Sequence, residues 1–139
     1  MTPTRTIKMN DLGKVFLVGS GGFLGANARY WLGGWISNRM SPAFPWQTLI
    51  INVSGSLVMG IFMGLMLTEN WNSNWRLFFA VGILGGYTTF STFSYEGIDL
   101  LAKGLYLYAG YYILGNALLS LAGAWVGLVL ARVLAGGHV

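Results

Sequence analysis

Three sets of hydrogen-bonding side chains stand where the sequence is otherwise apolar. Thr48, Asn52 and Ser56 follow one another at intervals of four, as do Tyr108, Tyr112, Asn116 and Ser120. That spacing puts each set on one face of a helix. Between them, Gly85-Gly86-Tyr87-Thr88-Thr89-Phe90-Ser91-Thr92-Phe93-Ser94 sets two adjacent glycines and five Ser and Thr hydroxyls into a hydrophobic stretch. Neither stripe contains a carboxylate or a lysine, so the chemistry on offer is hydrogen bonding and oxygen coordination. No nucleophile–base–acid set and no pair of catalytic carboxylates can be assembled, so the chain is not read as an enzyme. Without cysteine and with His138 as its one histidine, it offers no thiolate or imidazole metal cluster.

Polar backbone at membrane depth is tolerated only when it is buried in protein or lines a wet cavity. The stripes and the hydroxyl-rich run therefore point to an ion pathway. The plain alternative is glue: Ser, Thr and Asn also tie membrane helices together, at about 0.6 kcal/mol per hydrogen bond. Two stripes and a polar third span together favour the pathway. Phe90 and Phe93, three apart among hydroxyls, fit it as well. A phenyl ring is positive at its edge, which attracts an anion without a full charge, where an isolated pair would read as packing. Arg29 is the only basic residue well inside an apparent span. It either snorkels to an interface marked by Trp31 and Trp35 or raises the local anion concentration at a pore mouth.

The elements that must carry these residues follow from composition. Of 139 residues, 55% are hydrophobic and 9% charged, against about 25% charged in a soluble domain. The fold class is therefore an all-α integral membrane protein, one domain over residues 1–139. Crossing about 30 Å of hydrocarbon takes roughly 20 helical residues, and four segments are long enough: 14–36, 47–68, 75–101 and 107–135. The third is expected to break at its glycines. Trp31, Trp35, Trp46, Trp71 and Trp75 gather at the expected ends, as interfacial anchors do.

The net charge of +4 comes from basic residues scattered singly, so no nucleic-acid patch forms. The polar residues 1–13 precede an apolar run too long for a signal peptide. Arg5, Lys8, Lys14, Arg76 and Arg132 on one side, against Arg39 and Lys103 on the other, favour a cytoplasmic N-terminus. Without the N-terminal tail the count is two against two, a bias weak enough for insertion in both directions. Small residues recur every four positions at Gly21/Gly25, Ser56/Gly60/Gly64 and Gly123/Gly127/Ala131, which suits close helix approach either within one subunit or between two. Because four short helices can hardly enclose a pore, an oligomer is expected. Gly19-Ser20-Gly21-Gly22-Phe23-Leu24-Gly25 mimics a dinucleotide fingerprint, but its third glycine is one place late and no strand–helix unit surrounds it.

With these residues in view, the chain closely resembles the CrcB/Fluc family of bacterial fluoride channels. The likeness is most specific over Gly85 to Ser94, with support from Gly25 to Arg29 and from Asn52-Val53-Ser54-Gly55. It implies an antiparallel, dual-topology homodimer in the bacterial inner membrane, with two pores that export fluoride passively and protect the cell from it. It also implies a structural sodium ion at the dimer interface, held by the backbone carbonyls of Gly85 and Thr88 from each subunit. Phe90 and Phe93 would be the pore phenylalanines, flanked by Ser91 and Thr92, and Asn52 a pore hydrogen-bonding residue. Thr48, Tyr112 and Ser120 would continue the polar track, and Asn116 stands where a small hydroxyl is expected. Two other readings remain at this point. A dual-topology proton-coupled drug carrier would use a membrane carboxylate, for which Glu96 and Asp99 near the end of the third span are the candidates. A non-transporting subunit would use the stripes as glue alone.

Overall fold

The computed structural model describes residues 10–68 and 71–136. Arg5, Lys8, Glu69 and His138 lie outside the described residues. Four helical segments cross back and forth, and among the described residues there is no strand.

Helix α1 spans Asp11–Ser37 and starts where the Asn10 side chain accepts from the Gly13 N–H at 2.9 Å, satisfying one of the open donors of the first turn. A turn over residues 38–45, containing Pro42 and Pro45, leads into α2, Trp46–Thr68. The third segment is composite. It begins with one turn, α3 (Ser73–Trp75), capped by Asn72, and continues with π-helical geometry over Arg76–Leu84. It returns to α geometry in α4 (Gly85–Tyr87), opens at Thr88 and Thr89, and resumes as α5, Phe90–Ala102. Helix α5 ends in a Schellman motif: Gly104 (φ 72°) sends its N–H to the Leu101 carbonyl, and Leu105 sends its own to Leu100. Only glycine takes that left-handed turn without a steric cost. The last helix, α6, runs from Tyr106 to Leu134.

The helices thus match the bounds of the expected segments to within a few residues, and the third breaks inside its polar run as anticipated. The nine-residue π segment is a feature the residue pattern did not signal. Among the described residues, three stretches are long and apolar enough to cross a membrane: Trp46–Leu67, Ser73–Ala102 and Tyr106–Leu134. Helix α1, at 27 residues, is also long enough, about 40 Å at 1.5 Å per residue, but it is diluted by glycines, Asn27 and Arg29.

Helix α2 packs chiefly on α6, and α1 on the π segment and α4. Glycine makes both contacts possible. A Cβ on Gly25 would fall on the Ile83 carbonyl, and one on Gly127 would fall on the Leu57 carbonyl. Gly21 and Gly60 meet backbone in the same way. The small-residue ridges therefore serve packing within the chain, which decides between the two uses the spacing allowed. The buried core is small, with Leu100, Ala109 and Tyr112 packed by Phe44 and Phe93. Large apolar side chains such as Phe16, Phe23, Leu118 and Trp125 instead face outward, the reverse of a water-soluble bundle.

A polar cavity at the helix break

The break is held open by hydrogen bonds that replace the helical ones. Thr88 (ψ 158°) and Thr89 (φ −148°, ψ 123°) are extended. The Asn52 side-chain amide pairs with both sides of residue 89: it accepts from the Thr89 N–H at 2.9 Å and donates Nδ2–H to the Thr89 carbonyl at 3.0 Å. Thr89 in turn caps α5, its Oγ1 accepting from the Thr92 N–H at 3.2 Å. On the other side, the N–H and hydroxyl of Thr88 both donate to the Leu84 carbonyl, at 3.0 and 2.9 Å. The Tyr87 hydroxyl shares a hydrogen bond with Ser54 at 3.0 Å. The N–H groups of Thr88 and Thr89 are therefore satisfied, as buried backbone donors in a membrane must be.

Beside the break lies a cavity of about 360 Å³. Asn52 and Ser56 of α2, Thr88, Thr89, Phe90 and Phe93 of the third segment, and Asn116 and Ser120 of α6 line it. The two phenyl rings sit 5.4 Å apart between centroids and are tilted by 51°. Phe93 also packs against Tyr112 at 5.6 Å, whereas Phe90 is 79% exposed on this single chain. The Ser120 hydroxyl oxygen is buried and has no hydrogen-bond partner among the described residues.

From the cavity a line of polar groups runs toward the α1–α2 turn. Asn52 donates to the Asn116 Oδ1 at 3.0 Å, and Asn116 donates weakly to the Tyr112 carbonyl at 3.4 Å. Tyr112, with no exposed surface, donates its hydroxyl to Glu96 Oε2 at 2.5 Å. Gln47 reaches the other carboxylate oxygen, Oε1, at 3.3 Å. Glu96, Gln47, Asp99 and Lys103 then line a second cavity of about 410 Å³. There the Asp99 carboxylate, through its hydrogen bond and its charge, raises the Lys103 pKa above the usual value for lysine. The polar column between the two cavities consists of the buried Asn116, Tyr112 and Thr48 and the half-buried Glu96.

Most of the residues singled out in the sequence thus meet here. The exceptions are informative. Ser91 and Thr92 are exposed and do not line the cavity, and Tyr108 turns outward to meet Phe44. Arg29 neither snorkels free nor faces the cavity: its Nη1 donates to the Thr88 carbonyl at 3.3 Å. Glu96 and Asp99 sit in the second half of helix α5, and Glu96 is tied to Tyr112 and Gln47. The link between Glu96 and the cavity was open to sequence reasoning, since Phe93, Glu96 and Leu100 follow the three-and-four spacing of one helix face. Thr89 as the peptide held by Asn52 carried no such signal.

The helical bundle, the broken third span and the polar column define a membrane protein of the channel or carrier kind. The chain belongs to the CrcB family: the model described as "CrcB-like protein, Camphor Resistance (CrcB)" matches residues 16–128. It is similar to the fluoride-specific ion channel FluC of Rhodospirillum rubrum, 43% identical over 115 residues, which cover 81% of this chain and 89% of that protein. Fluoride-specific ion channel FluC 1 of Nitrobacter hamburgensis is 43% identical over 122 residues, covering 86% and 96%. The FluC channel of Rhizobium etli is 42% identical over 123 residues, covering 88% and 98%.

Proposed function

We propose that this chain is the subunit of a fluoride channel that lets fluoride leave a bacterial cell passively through the cytoplasmic membrane and so limits its toxicity. The observation that carries the reading is the cavity where an unpartnered, buried Ser120 hydroxyl and the Phe90 and Phe93 rings line one space. Fluoride is small and strongly hydrated, so it crosses only if hydrogen-bond donors replace its water. Ring edges add attraction without a fixed charge that would trap it. The path proposed runs from this cavity, past Asn116, Tyr112 and Thr48, to the second cavity beside Glu96. Larger halides gain less from each donor and fit the narrow column poorly. The names of the similar channels support the same ion.

A homodimer belongs to this proposal. Gly85, Phe90, Ser91, Thr92 and Ser94 are exposed on one chain at a depth where lipid would surround them. A second copy covers that polar face better than hydrocarbon does. The near-even distribution of Lys and Arg outside the N-terminal tail suits an antiparallel pair, with α1 as the fourth span and one pore beside each break. An interface sodium is part of the same proposal, and the free carbonyls support it. The Thr89 N–H, which a continuing α-helix would aim at the Gly85 carbonyl, goes to Asn52 instead, and Gly85 is exposed. The Thr88 carbonyl has one weak donor, Arg29, and keeps a second lone pair. Hard oxygens of this kind fit a hard cation, so Gly85 and Thr88 are the residues that would hold it. Bound there, the ion would supply positive charge that fastens two copies together.

The deciding experiment is efflux from liposomes loaded with fluoride or chloride. Fluoride efflux that carries current, needs no proton gradient and far exceeds chloride efflux is expected. Equal leakage of both anions, or movement of neither, refutes the assignment.

A further inference from the structure

We infer that Asn116 is a positioning residue: it holds the Asn52 amide in the one orientation that keeps the third span open at Thr89. A side-chain amide rotates about a torsion with two broad, nearly equivalent wells. In one, Asn52 offers Oδ1 to the Thr89 N–H and Nδ2–H to the Thr89 carbonyl, as observed. In the other, oxygen faces oxygen, N–H faces N–H, and both bonds are lost. Asn116 biases this choice through an atom that can only accept. Its Oδ1 takes the second Nδ2 hydrogen of Asn52 at 3.0 Å, so a flipped Asn52 would set one carbonyl oxygen against another. Asn116 is oriented by its own helix, since its Nδ2 points at the Tyr112 carbonyl.

The line of control therefore runs from the α6 backbone through Asn116 and Asn52 to the Thr89 peptide. It is well placed to be rigid. Asn116 and Thr89 are 4% and 8% exposed, and α6 is locked to α2 by Gly60 and Gly127. One consequence bears on permeation and rests on the fluoride reading. Both Nδ2 hydrogens of Asn52 are already committed, so Asn52 presents no free donor to the cavity. The hydroxyls of Ser56 and Ser120, both lining the cavity, are then donors open to a passing anion, and Asn52 serves the break.

Hydrogen exchange of the backbone amides, measured in the purified detergent-solubilised protein, tests this with two variants. Asn116→Leu keeps most of the side-chain volume and removes the acceptor. Asn116→Ser is smaller, and its oxygen is one bond short of the Asn52 amide. In both, exchange of the Thr89 amide is expected to accelerate about tenfold, the factor that one neutral hydrogen bond is worth, while amides in the middle of α1 and α2 keep wild-type protection. Unchanged exchange at Thr89 in either folded variant overturns the assignment, and so does equal acceleration in all helices, which would mark general loosening. Fluoride efflux is read on the same samples. Wild-type protein that moves no fluoride would sink the channel reading and leave the exchange result standing.

Discussion

Replacing Ser120 by alanine should push stability and transport in opposite directions. The Ser120 hydroxyl is buried and has no partner among the described residues, and an unsatisfied buried polar group costs about 1–3 kcal/mol. Alanine removes the group at nearly the same shape, so Ser120→Ala is expected to raise the melting temperature, by the equivalent of about 1 kcal/mol once lost contacts are allowed for. The same hydroxyl is a free donor lining the cavity. A hydrogen bond to a charged partner is worth about 1.5–3 kcal/mol, and about 1.4 kcal/mol is tenfold in rate or affinity. Fluoride efflux should therefore fall by roughly 10- to 100-fold. Thermal unfolding in detergent gives the first quantity, and a fluoride electrode outside loaded liposomes gives the second. Ser120→Thr keeps the hydroxyl and should retain most of the flux. Wild-type flux in Ser120→Ala would refute the reasoning, and so would a loss of stability.

Two further outcomes separate function from packing elsewhere. Phe90→Ile and Phe93→Ile should each cut fluoride efflux at least tenfold, measured with the same electrode. Phe93→Ile should also lower the melting temperature, because that ring packs on Tyr112 within the chain. Gly25→Ala should destabilise by about 1–3 kcal/mol, the range for overpacking, since its new methyl falls on the Ile83 carbonyl. Gly19→Ala, with nothing within 4 Å, should be neutral or stabilising by up to about 1 kcal/mol from helix propensity. Equal effects at the two glycines in thermal unfolding would contradict the packing described.

Much of the fold was legible because membrane insertion imposes a one-dimensional pattern. Apolar length gave the spans, and the glycine pair with its hydroxyls gave the break. Four-residue periodicity put Asn52 on one face and Asn116 and Ser120 on another. The same periodicity failed for Tyr108, because the last helix begins beyond the polar column and its first turn faces outward. It was also silent about Arg76–Leu84. That segment lies against α1 at Gly21 and Gly25, a contact between distant parts of the chain that spacing does not carry.

By itself, the sequence determined a non-catalytic membrane chain with hydrogen-bonding stripes and a broken third span. Those properties follow from composition and spacing, which act residue by residue. Tertiary structure decided which polar groups meet. It spent Asn52 on the Thr89 peptide, turned Arg29 to the Thr88 carbonyl, joined Glu96 to Tyr112 and left the Ser120 hydroxyl without a partner. A hydrogen bond depends on distance and direction between segments far apart in the chain, and only the packed helices set those.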